Sequence, residues 1–199
     1  MEEFKKISIL HISDLHKNEG DDFDNLLQSM KDDCEQYLRK GIAKPNIIVV
    51  SGDLIRGGKS NEIKEQYNEV RSFLEALTAY FLDGDKNRIV IVPGNHDVDW
   101  NVSKKILKPL LRKTSKEKTE YKKTLELFLN GRAPRFRWNW SDQRLYNYAD
   151  DNAYNTRFEQ FANFYKSFYG SRTYSLDPSS QYDFFEIPEF NIVFVGFNK

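Results

Sequence analysis

The sequence predicts an α/β fold built on a mostly parallel sheet. Three observations predict it: three short apolar, β-branched runs, two stretches of helical periodicity between them, and short connections throughout. The runs are Ile7-Ser8-Ile9-Leu10-His11-Ile12-Ser13, Ile47-Ile48-Val49-Val50-Ser51 and Ile89-Val90-Ile91-Val92-Pro93, each bounded by turn residues as a buried strand is. Between the first two, Phe23, Leu26, Leu27, Met30, Cys34, Tyr37 and Leu38 recur at helical spacing, with Asp22 as N-cap and Gly41 as stop. Between the second and third, Ile63, Tyr67, Val70, Phe73, Leu74, Leu77, Tyr80 and Phe81 form one broad helical face, closed by the turn Asp83-Gly84-Asp85. Strand–helix–strand–helix–strand with short links is the pattern of a parallel sheet.

Beyond Trp100 the character changes. Residues 101–140 hold twelve Lys and Arg against three Glu. Two amphipathic helices are expected near 103–112 and 117–129, followed by the aromatic stretch Phe136-Arg137-Trp138-Asn139-Trp140. A further helix is expected over 156–169, with Phe158, Phe161, Ala162, Tyr165 and Phe168 facing inward. Two strand-like runs, 182–187 and 191–197, flank Pro188-Glu189 and read as a tight antiparallel pair. The basic segment reads chiefly as a solvated helical face with core aromatics. The competing reading is a nucleotide or nucleic-acid surface with Trp138 and Trp140 as stacking platforms, or a lid.

Length and composition bound the class. The 199 residues suffice for a sizeable core. Hydrophobic content of 39% and charged content of 30% exclude wholesale disorder, and zero formal net charge names no polyanion partner for the chain as a whole. No run approaches the roughly 20 apolar residues of a membrane span. The N-terminus lacks the long apolar region of a secretory signal, and the lone Cys34, on an apolar helical face, permits no internal disulfide. The expected compartment is cytoplasmic, with no membrane partner.

Function is concentrated where the strands end. Asp14-Leu15-His16, Gly52-Asp53 and Gly94-Asn95-His96-Asp97 follow the three runs directly. In open α/β sheets, ligands bind in the loops beyond the carboxyl ends of the strands. Oxygen and imidazole donors from three such loops point to a metal site. His11, inside the first strand, reads instead as a core or interface histidine.

These motifs, in this order and spacing, resemble the first three signatures of the calcineurin-like metallophosphoesterases. The flanking Leu10-His11-Ile12-Ser13 and Val92-Pro93 are also typical, and the strands from Tyr182 resemble those following an insertion in bacterial members. The resemblance implies a four-layer αββα sandwich, of which residues 1–199 supply the N-terminal part: one mostly parallel sheet, a basic and aromatic helical insertion at about 101–178, and the start of a second sheet. An exposed edge is then expected, and with it a homodimer or poor solubility.

The resemblance also implies a dinuclear site. Asp14 and His16 bind one divalent metal, Asp53 bridges two, and Asn95 gives its carbonyl oxygen to the second. A metal-activated hydroxide attacks phosphorus in line with the leaving oxygen. His96 acts at the phosphate as acid or cation, and Asp97 orients its imidazole. The donor set suits manganese, iron or zinc, with nickel open. Arg56 and Gly57, with Gly58 and Lys59, are candidate contacts to a phosphoester substrate.

Family members carry two later histidine-bearing motifs, whereas the histidines here are His11, His16 and His96. The reading therefore expects a longer protein with C-terminal domains, and weak metal binding and little turnover from these residues alone. The leading activity is hydrolysis of phosphomonoesters or phosphodiesters. A nuclease of the repair-exonuclease type, a protein phosphatase, and a non-catalytic nucleotide-sensing module are the alternatives.

Overall fold

The computed structural model describes residues 6–16, 23–58 and 60–197. The expected N-cap Asp22 and the candidate contact Lys59 lie outside the described residues. Three parallel strands, β1 (Ile9–Ile12), β2 (Ile47–Ser51) and β3 (Ile89–Val92), alternate with two helices, α1 (Phe23–Arg39) and α2 (Ser60–Leu82). Sheet order follows chain order, with Ile9 beside Ile47 and Ile48 beside Ile89. This is the arrangement the periodicity predicts, because a strand feeding a helix returns parallel to itself.

The chain divides into two compact units, 1–99 with 158–199, and Trp100–Arg157. In the first, the core joins α2 residues Ile63, Tyr67, Val70, Leu74 and Leu77 to Ile48, Val50 and Ile91 of the sheet. The face of α1 is narrower than its apolar residues suggest. Leu27 and Cys34 are buried, but Leu26, Tyr37 and Leu38 are 39%, 50% and 43% exposed. A 17-residue helix spans about 26 Å and a four-residue strand about 13 Å, so one helix end overruns β1.

The same unit contains α6 (Glu159–Tyr169), whose Phe161, Phe164, Tyr165 and Phe168 enter that core, and the antiparallel pair β7 (Tyr182–Ile187) and β8 (Ile192–Phe197). The turn between β7 and β8 places Asn191 in the left-handed region at φ 53°. β8 lies against β3, with Gly196 on the Val92 side chain. The second compact unit ends at Arg157, and the aromatic face of α6 lies in the first unit's core.

In the second unit, α3 (Trp100–Ile106) stops before the predicted 103–112 helix is complete. Pro109 disfavours helix in the residue before it, and Lys108–Pro109 instead forms a short strand, β4. α4 (Ser115–Leu129) begins at a capping box: Glu117 N–H donates to the Thr114 hydroxyl, and Thr114 N–H to the Glu117 carboxylate. The aromatic stretch holds β5 (Phe136–Asn139), which pairs with β6 (Arg144–Asn147), unpredicted from the sequence. Strand order is β4-β6-β5, and α5 (Asp151–Asn155) closes the unit. Among the described residues no helix is long and apolar enough to cross a membrane.

Candidate metal centre

The loops following β1, β2 and β3 interlock through their backbones. Asp14 N–H donates to the Gly52 carbonyl at 3.2 Å, and His16 N–H to the Asp53 carbonyl at 2.9 Å. His96 N–H donates to Asp53 Oδ1 at 2.8 Å. Such close approach needs glycine. A Cβ on Gly52 would lie 2.8 Å from Gly94 Cα, and one on Gly94 would overlap the Asp53 carboxylate and amide.

Three of the predicted ligands have left-handed backbone. Asp14, His16 and Asp53 adopt φ of 56°, 45° and 52°, a region L-residues occupy at a cost of order 1 kcal/mol each. His16, Asp53 and His96 each offer a donor atom within 4.8 Å of the others. His16 Nε2 lies 3.9 Å from Asp53 Oδ2 and 3.7 Å from Asp14 Oδ1. Those separations are too long for hydrogen bonds, and they suit donors facing a common ion about 2 Å from each. Two imidazoles and a carboxylate are a fitting set for a divalent transition metal.

Of the four ligands the sequence proposed, His16 and Asp53 stand in this cluster. Asp14 borders it through His16, with its side chain 66% exposed, and Asn95 is exposed in the loop between Gly94 and His96. His96, assigned to catalysis, is itself a cluster member, its ring 4.6 Å from that of His16 and nearly perpendicular to it.

Asp97 is buried between the loops that follow β2 and β3. Its carboxylate accepts from Gly94 N–H at 2.8 Å, from Leu54 N–H at 3.2 Å, from Ile55 N–H and from the Tyr67 hydroxyl at 3.2 Å. It is thus a staple between the β2 and β3 loops. Burial pushes its pKa from 3.8 up to about 6, against the lowering effect of the backbone donors. His96 Nδ1 lies 3.0 Å from the Arg56 carbonyl. A carbonyl only accepts, so Nδ1 carries the proton of that bond, and Nε2 is left to bind a metal or exchange a proton.

Arg56 and Gly57 enter the site through their backbone. Gln66 on α2 accepts from Arg56 N–H at 3.0 Å and donates to the Gly57 carbonyl at 3.1 Å. Gln66 and Tyr67 were missed as site residues, since helical periodicity marks Tyr67 only as core and Gln66 not at all. His11 is exposed on β1, its Nε2 2.6 Å from the Ser51 hydroxyl, because that side of β1 faces away from the helical core.

A calcineurin-like phosphoesterase family model matches residues 7–196. The chain belongs to the calcineurin-like phosphoesterase family. Its parallel sheet with flanking helices is consistent with the fold of these phosphoesterases, and the family implies a phosphoester hydrolase that binds divalent metal. No curated protein matches the chain.

Proposed function

We propose that this phosphoesterase hydrolyses phosphomonoesters or phosphodiesters at a divalent-metal centre held by His16, Asp53 and His96, with Asp14 and Asn95 completing the donor set. The convergence of the first three donors within 4.8 Å, at the ends of three parallel strands, carries the reading. A dinuclear arrangement shared at Asp53 accords with the position of its carboxylate, since Oδ1 takes the His96 amide while Oδ2 faces His16.

Bound divalent cations supply charge neutralisation at phosphoryl oxygens and a lowered pKa for water. The protein does the remainder. The strained loops hold the donors in place before an ion arrives, which reduces the cost of organising the site. The Arg56 carbonyl fixes the His96 ring, which would leave Nε2 to hold a metal or to serve as a proton donor at the leaving oxygen. Asp97 holds the two loops in register from behind.

The test begins with chelator-treated protein reloaded with manganese, desalted and analysed for metal, then assayed on bis(p-nitrophenyl) phosphate. The wild type is expected to retain manganese weakly and to hydrolyse the diester slowly, and Asp53→Asn to lose both. Metal-independent hydrolysis, or equal retention by Asp53→Asn, overturns the assignment. Retention lost in Asp53→Asn, with no turnover of monoester or diester by the wild type, transfers the reading to a non-catalytic metal-binding module.

A further inference from the structure

A cavity of about 450 Å3 opens between α2 and α6, outside the metal-ligand cluster. Each helix lines it with a polar stripe two turns long. Lys64, Asn68 and Arg71 stand on α2, and Gln160, Asn163 and Ser167 on α6. Residues at these spacings share one helix face. The floor is Tyr67 stacked on Phe164, their rings 4.9 Å apart and 16° from parallel.

The lining carries two cations, three amides and no carboxylate. Among the described residues, Lys64 and Arg71 form no ion pair, and the side-chain amides of Asn68, Gln160 and Asn163 have no hydrogen-bond partner. Arg71 Nε is buried and lacks an acceptor. A guanidinium N–H withdrawn from water without an acceptor costs free energy that a polar ligand recovers. The planar guanidinium donors match oxyanions best.

We propose that this groove binds a small oxyanion, of the phosphate-monoester or carboxylate class, through Arg71 and Lys64, with the amides bonding the rest of the ligand. The two cations are seven residues apart, about 10 Å along the helix, so the site accommodates a ligand longer than a bare ion. Its floor residue Tyr67 donates to Asp97, which places the groove one hydrogen bond from the staple of the metal loops. The proposal stands apart from the hydrolase reading, because none of these lining residues is a candidate metal ligand.

The experiment titrates inorganic phosphate, then acetate, into chelator-treated protein labelled with 15N-arginine, at constant ionic strength. The Arg71 Nε–H resonance is assigned by its loss in Arg71→Lys. A saturable shift with one midpoint is expected. Lys64→Gln should raise that midpoint roughly tenfold, the effect of losing one charge-assisted contact, while Asp53→Asn leaves it unchanged. The anion with the lower midpoint identifies the headgroup class. A shift that grows linearly without saturating for both anions means an adventitious ion only and overturns the proposal, as does a midpoint indifferent to Lys64→Gln.

Discussion

Asp97 shows how much one buried carboxylate organises. It gathers backbone donors from both sides of the metal centre, and three of its bonds reach residues about forty positions away in sequence. Its raised pKa sets the sign of a pH effect. Below about pH 4 the folded and unfolded states both hold the proton. Between about pH 4 and pH 6 the folded state keeps a proton that the unfolded chain releases, so stability falls as pH rises through this window. A shift from 3.8 to about 6 amounts to about 3 kcal/mol, lost in full above pH 6. Urea unfolding in chelator at pH 4, 5, 6 and 7 checks this. Asp97→Asn should remove that component of the slope, and parallel slopes in the two proteins would refute the assignment.

Among the elements, α2 supports the site most directly. Its apolar face builds the core, while Gln66 and Tyr67 reach the loops after β2 and β3. Gln66→Ala frees Arg56 N–H and the Gly57 carbonyl, and so loosens the carbonyl that fixes His96. The expected result is a kcat/KM lowered about tenfold with manganese stoichiometry unchanged, an effect of roughly 1.4 kcal/mol on the transition state. Steady-state kinetics beside elemental analysis separates this from loss of metal. The loop glycines show why an element and its following loop must be considered together: a side chain at Gly94 would meet Asp53, which belongs to a different strand end.

At the scale of the whole molecule, the β7–β8 pair of the first unit exposes apolar side chains among the described residues. On β7 and β8, Phe185 and Phe194 pack into or against the helical core, whereas Tyr182, Phe184, Val193, Val195 and Phe197 point away from it and are 41–73% exposed. Register places Tyr182 opposite Phe197 and Phe184 opposite Val195, so these residues form a continuous apolar face. Contiguous apolar surface of this kind drives association. Light scattering should give a weight-average mass that climbs above 23.5 kDa with concentration, and Phe184→Glu with Val195→Lys should return it to that value. A concentration-independent monomer in the wild type would refute the prediction.

The parallel β1–β2–β3 order and the positions of the strand-end clusters were legible in the amino-acid sequence, because burial leaves an apolar periodicity there and the polar residues break it abruptly. The sequence also placed His16, Asp53 and His96 at the ends of adjacent strands. Three-dimensional packing was needed to show that His96 shares a donor cluster with His16, that Asp97 gathers backbone donors from two loops, and that Gln66 and Tyr67 reach those loops. It also showed the aromatic stretch as a hairpin strand, β5 paired with β6. The reason is physical: periodicity records which face of an element is buried, whereas a hydrogen bond between Tyr67 and Asp97, thirty residues apart, depends on how separate elements come together.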